Sequence, residues 1–356
     1  VARRVHGGRT EVDVKQAKRE SFVLGKTEVA PGARGRADLQ IGELYDRSPL
    51  GIAVHVLHGA YPGPTLFVSA GIHGDELLGF VVVRRVLEKL DPAAISGTVL
   101  AIPFVNHLGL LHGTRELPDG RDLNRSFPGS KNGSLAARFA RSFLREIAMR
   151  CTHGIDLHTA GMHRDNLPQI RADLADPETM RLARAFGAPI IIHAGLRDGS
   201  LRQAAGARGV STLLYEAGEP LRHDEDCVRV GFEGVMRVMT ALGMVDRRLY
   251  KVSTPLVSWG TAWVRSPRSG YFIPSVDLGD RVRRGAAIGA LEMRAGPGEV
   301  SDRLVVNSRG AGLVIGITRN PLVHVGDPLV HVADLGARSS ATSERVAADM
   351  LVPDEE

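Results

Sequence analysis

Thr65-Leu66-Phe67-Val68-Ser69-Ala70-Gly71-Ile72-His73-Gly74-Asp75-Glu76 is the stretch on which the reading of this chain turns. Its first half is apolar, bounded by Pro62, Gly63 and Pro64, with the length and composition of a buried strand. The amphipathic segment that follows, Leu77 to Leu90, has the spacing of a helix and meets a stop at Asp91-Pro92. His73 and Glu76 therefore fall where a strand ends and a helix begins. There an imidazole and a carboxylate, three residues apart, can converge on one cation. Catalytic zinc takes three protein ligands, with two histidines and a glutamate among the common sets, and keeps a fourth position for water. A second histidine must then come from elsewhere.

The candidate is His158, in Ile155-Asp156-Leu157-His158-Thr159-Ala160-Gly161, which also reads as the end of a strand. Side chains alternate along a strand, so Asp156 and His158 share a side. Ligands of open α/β sheets gather at the carboxyl ends of the strands, where these residues fall. With 13 histidines in the chain, one His-x-x-Glu pair is weak evidence by itself; the second motif strengthens it.

Gly71-x-His73-Gly74-Asp75-Glu76, Asp122-Leu123-Asn124-Arg125-Ser126-Phe127-Pro128-Gly129, Asp156-Leu157-His158 and Tyr215-Glu216-Ala217-Gly218 follow one another along the chain. In order and rough spacing they resemble the succinylglutamate desuccinylase/aspartoacylase family, over about residues 40–335. The resemblance implies a zinc amidohydrolase of α/β class. Its fold would be a zinc-carboxypeptidase-like mixed sheet flanked by helices, followed by a small all-β barrel-sandwich domain. His73, Glu76 and His158 would hold one Zn²⁺ per chain. Glu216 would act as general base and acid; Glu219 is a rival in a Glu-Pro turn that reads as solvent-facing. Arg115 would polarise the scissile carbonyl, with Arg121 as the alternative, and loss of such a donor typically costs about 10²–10³ in turnover. Asn124 and Arg125 would bind a substrate carboxylate, which a planar guanidinium can meet with two hydrogen bonds. Asp122 would orient a ligand histidine, here His73. Asp156 suits either that role or ordinary strand-end hydrogen bonding. His163 reads equally as pocket lining or solvated loop, His153 as facing away from His158, and His193 as structural. His55 and His58 have no carboxylate motif beside them.

Composition excludes other classes. A net charge of +5 comes from 45 basic and 40 acidic residues scattered along the chain, with aromatics at 5%, so no basic run interleaved with aromatics marks a nucleic-acid surface. That positive balance can still steer anionic substrates. Two cysteines, Cys151 and Cys227, suit a reducing compartment rather than a disulfide framework. No 18-residue apolar run and no apolar core in Val1 to Glu20 leave a membrane span and a secretory signal unsupported, so a cytoplasmic location is expected.

Residues 1–35 read as an N-terminal extension, 36–248 as the catalytic domain, 249–335 as a small β domain and 336–356 as a disordered tail. Strands are expected at Leu50–Leu57, Thr65–Ala70, Thr98–Phe104, Ile155–His158, Pro189–His193 and Thr212–Tyr215, with a turn at Tyr61-Pro62-Gly63-Pro64. Helices are expected at Leu77–Leu90, Leu135–Ala148, Pro177–Phe186 and Asp226–Leu242. Past Lys251 glycine-punctuated short strands take over. The β domain resembles a biotinyl/lipoyl barrel sandwich, but Leu291-Glu292-Met293-Arg294 carries no attachment lysine, which rules against a carrier.

The reading is a zinc-dependent deacylase acting on an N-acyl amino acid or a similar carboxylate-bearing small molecule. Neither namesake substrate is implied. A carboxypeptidase with the same site is the nearer alternative and a non-catalytic ligand-binding protein the farther one. No nucleic-acid or membrane partner is expected, and homo-oligomerisation is left open.

Overall fold

The computed structural model describes residues 19–247, 253–293 and 302–336. The chain begins with a hairpin of β1 (Phe22–Leu24) and β2 (Thr27–Val29), then three long strands, β3 (Ala33–Glu43), β4 (Pro49–His58) and β5 (Tyr61–Ala70). Next come α1 (Leu78–Lys89), β6 (Ser96–Ile102), α2 (His107–His112) and α3 (Leu135–Ser142). They are followed by β7 (His153–His158), β8 (Arg164–Ala172), α4 (Pro177–Phe186), β9 (Ile190–His193), α5 (Leu201–Gly206), β10 (Ser211–Gly218) and α6 (Glu225–Ala241). Beyond α6 the elements of the described residues are all strands: β11 (Leu256–Ser258), β12 (Gly260–Arg265), β13 (Gly270–Pro274), β14 (Arg281–Val282), β15 (Ala287–Met293), β16 (Asp302–Asn307), β17 (Gly312–Thr318), β18 (Leu322–Val323) and β19 (Pro328–Asp334).

The main sheet has 13 strands, with the path β12-β19-β17-β8-β10-β7-β5-β6-β4-β3. β6, β5, β7 and β10 run parallel at its centre, and β8 and β4 flank them antiparallel. Alternation along β5 divides the core. Leu66, Val68 and Ala70 pack with α1, α4 and α6 on one face, while Phe67 packs with α3 and α5 on the other. Strands covered on both faces read as continuous apolar runs. The fold is thus a large mixed sheet flanked by helices, with a separate antiparallel sheet of order β16-β15-β13-β18.

That four-stranded sheet closes over β12, β14, β17 and β19 around Phe272, Ile288, Leu291, Val314 and Leu329, giving a sandwich of two layers. The sandwich is hydrogen-bonded into the main sheet, β17 to β8 and β11 to β9. Leu291, Glu292 and Met293 end β15, and Arg294 lies outside the described residues, as do the tail 337–356 and residues 1–18.

Two local expectations are corrected. Tyr61-Pro62-Gly63-Pro64 is not a turn but the start of β5. Its register against β6 shifts between Tyr61 and Thr65, a bulge that accommodates prolines unable to donate to the ladder. Gly59 and Ala60 form the reversal. The helix expected to Ala148 is α-helical only to Ser142, passing into a π-turn at Phe143–Ile147. The described part of the N-terminal extension, residues 19–35, forms β1, β2 and the start of β3, and Arg19 ties it to the carbonyls of Gly59, Tyr61 and Gly97. Among the described residues no helix is long and apolar enough to cross a membrane.

Candidate active site

The carboxyl ends of β5, β7 and β10 lie side by side: Ala70 is opposite Leu157, and His158 is opposite Glu216. After β5 the chain turns sharply at Gly71, whose φ of +63° favours glycine. His73 and Glu76 are delivered on the loop leading into α1. Gly74 lets that loop touch the backbone of Gly109, since a Cβ there would lie 2.1 Å from its carbonyl carbon.

His73, Glu76 and His158 converge, all buried. Glu76 lies between the imidazoles: Oε1 is 2.7 Å from His73 Nδ1, Oε2 is 2.8 Å from His158 Nδ1, and the two Nδ1 atoms are 3.2 Å apart. The Thr159 N–H also donates to Oε2, at 3.1 Å. Each outer nitrogen faces a carboxylate, His73 Nε2 to Asp122 at 3.1 Å and His158 Nε2 to Asp156 at 2.7 Å. Asp156 is held in turn by the Ser69 hydroxyl, at 2.8 Å. Carboxylates behind ligand imidazoles set the tautomer that turns the inner nitrogen toward a metal. The ligand atoms lie within 4.8 Å of one another, and two imidazoles with a carboxylate match a zinc donor set.

Electrostatics fit the same purpose. Burial disfavours charge on Glu76, yet His73 and His158 outweigh it and hold its carboxyl well below the usual range. Burial likewise works against protonation of both histidines, but carboxylates prevail and raise them, Glu76 and Asp122 for His73, Asp156 and Glu76 for His158.

The centre opens into a cavity of about 650 Å³ lined by His73, Glu76, Arg115, Asn124, Arg125, His158 and Glu216, while Asp122 stands behind His73. Arg115 lines it, donating to Glu76 at 3.2 Å and to Asp122 at 3.0 Å. Arg121 is exposed and lies outside the cavity lining. Asp122 caps the short turn carrying Asn124 and Arg125 through a 2.8 Å bond to the Asn124 N–H. Asn124 Oδ1 is used by the Leu201 N–H at 2.9 Å, which leaves its NH₂ as donor. Glu216 stands at the end of β10; Asn166 donates to its Oε2 at 3.0 Å, and Arg171 Nε lies 3.0 Å from the same oxygen as an ion pair rather than an aligned hydrogen bond.

Other histidines stay apart. His163 is exposed in a loop, His58 bonds Thr98 and the Glu20 carbonyl, His153 meets Glu178, and His193 accepts from the Leu174 N–H. Asn166, Arg171, Trp263 and His331 line the cavity without any signal in the sequence motifs. Recognising residues 164–172 as a strand would have placed Arg164 and Asn166 on one face of it.

Comparison with known proteins places this geometry. Residues 62–242 match the succinylglutamate desuccinylase/aspartoacylase catalytic domain, and the chain belongs to that family. It is similar to an N-alpha-acetyl-L-2,4-diaminobutyric acid deacetylase from Halomonas elongata, at 29% identity over 64% of this chain and 70% of that protein. Among solved structures it resembles a succinylglutamate desuccinylase/aspartoacylase from Rhodobacter sphaeroides, at TM-score 0.76 and 25% identity over 92% of this chain and 98% of that one. An aspartoacylase family protein from Mesorhizobium loti gives TM-score 0.75 and 26% identity, covering 87% and 96%.

Proposed function

We propose that the chain is a zinc-dependent deacylase that hydrolyses the amide of an N-acyl amino acid. The observation that carries this reading is the meeting of two imidazole Nδ1 atoms and a carboxylate beside a further carboxylate, Glu216, in an arginine-rich cavity. A deacetylase among the relatives favours acyl removal over peptide cleavage.

His73, Glu76 and His158 hold the metal, and Asp122 and Asp156 fix the two imidazoles. Bound there, zinc supplies a Lewis acid for the carbonyl and lowers the pKa of water toward about 7. Both neighbours of Glu216 engage Oε2, so Oε1 is the oxygen that takes a proton from the attacking water and returns it to the leaving amine. Arg115 faces the charge that develops on the carbonyl oxygen. Asn124, through its NH₂, and Arg125 take the substrate carboxylate and set the amide over the centre. Cys151 and Cys227 are buried free thiols, which suits a reducing compartment and supports a cytoplasmic enzyme.

The test is primary-amine release from N-acetyl, N-succinyl and aspartyl amino acids and short peptides, with and without chelator. Chelator-sensitive release from an acyl-amino acid is expected. Release from peptides alone would make the protein a carboxypeptidase, and no release with zinc bound would make it a binding protein.

A further inference from the structure

Four adjacent strands contribute one residue each to a row that starts beside Glu216. Asn166 on β8 is opposite Gly316 on β17, Gly316 is opposite His331 on β19, and His331 is opposite Trp263 on β12. A Cβ at Gly316 would lie 2.9 Å from Asn166 Oδ1 and 3.2 Å from His331 Cβ, so the glycine keeps this row open. Trp263 and His331 stack with ring centroids 4.5 Å apart and planes 10° from parallel. Arg164 Cζ lies 5.3 Å from the Trp263 ring. Arg164, Trp263 and His331 all line the cavity that contains the His73–Glu76–His158 centre. In the order of the sheet they stand on the side of Glu216 away from His158.

His331 is 4% exposed, and its Nδ1 has no hydrogen-bond partner among the described residues. Leaving a buried polar atom unpaired is costly, and such an atom in a native structure calls for a reason. Burial, then Arg171 and Arg164, keeps the imidazole neutral, so it offers one N–H and one lone pair. Arg164 is in no ion pair among the described residues and adds further N–H donors. An indole shelf, a neutral imidazole and a guanidinium together complement a flat group that ends in acceptor oxygen.

We propose that Trp263, His331 and Arg164 form a second recognition subsite, contributed largely by the C-terminal strands. It takes a planar oxygen-bearing group, a carboxylate or carboxamide, that the substrate carries in addition to the carboxylate on Arg125. This group sits either on the acyl portion or on the amino-acid side chain. The proposal rests on the deacylase reading for its kinetic test but not for its binding test.

The kinetic test uses the metal-loaded full chain and matched pairs. One arm compares N-acetylglutamine with N-acetylnorleucine; the other compares the N-succinyl and N-pentanoyl derivatives of one amino acid. The wild type should favour the oxygen-bearing member in one arm by at least about tenfold in kcat/KM, and that arm names the source. His331→Phe keeps a ring for Trp263 but loses both nitrogens. It should remove most of the preference through KM and leave turnover of the hydrocarbon member within about threefold. His331→Gln should restore part of it. An unchanged preference in folded H331F, or none in the wild type in either arm, overturns the subsite. Should H331F fail to fold, W263F is judged by the same ratio. If the wild type cleaves no amide, the deacylase reading fails by itself, and calorimetry with glutarate and pentanoate decides the subsite. Tighter glutarate binding that H331Q weakens less than H331F supports it, and equal binding of both acids by the wild type overturns it.

Discussion

Replacing His331 with phenylalanine should change how the fold responds to acid. A histidine in an unfolded chain titrates near about 6.5. In the fold His331 is held well below that value by burial and by Arg171 and Arg164, both cations. Below pH 6.5 the unfolded chain therefore binds a proton that the native state refuses, and stability is lost as pH falls; above it, this histidine has no effect. One proton corresponds to about 1.4 kcal/mol per pH unit, so by pH 5 the loss has a ceiling of about 2 kcal/mol. Urea unfolding of wild type and H331F at pH 7.5 and 5.0 measures it, with metal handled identically in both. Carboxylates and the metal ligands titrate alike in the two proteins and cancel from the difference. The wild type should lose more than the variant between the two pH values, by up to about 2 kcal/mol. Curves that stay parallel within about 0.5 kcal/mol would refute the reasoning, because His331 would then carry its proton in the native state.

Glu216→Gln should retain zinc and lose at least about 10²-fold in turnover, as expected for a general base; metal analysis beside steady-state kinetics checks both halves. His73→Ala and His158→Ala each remove one nitrogen donor, so metal per chain after dialysis should fall, and full retention would contradict the ligand set. Arg125→Ala should weaken substrates with a free carboxylate far more than their methyl esters, with equal losses counting against the clamp.

The His73–Glu76–His158 half of the candidate site was legible because these residues follow strand ends with apolar runs before them. Leu66 to Ala70 and Ile155 to Leu157 are covered on both faces, which makes the strands visible and fixes where His73 and His158 must emerge. α4 was legible to the residue, since Asp176 caps it and Gly187 ends it in a left-handed conformation. β3 was missed because it is an edge strand whose buried side chains are little more than Ala37 and Leu39 among charged neighbours. β8 was missed for a functional reason: Arg164, Asn166 and Arg171 face the cavity, so a central strand reads as polar. It also contains Pro168, which a central strand normally excludes. Pro168 sits where β8 leaves β17, after Asn166, and takes up β9, from Gln169, with a shift of register against β10 at the same place. Trp263 and His331 were invisible because their relation to Glu216 exists only through four strands joined laterally.

The pairing of β8 with β17 also sets a timetable for synthesis. Chains emerge from the ribosome N-terminus first and fold in that order where contacts allow. The proposed metal ligands are complete once residue 158 has appeared, and the proposed base arrives with residue 216. The wall carrying Trp263 and His331 cannot be laid against β8 until β17 and β19 have been made, close to the end of the described chain. A nascent chain can thus bring its proposed metal ligands together well before it has the wall proposed to select what enters.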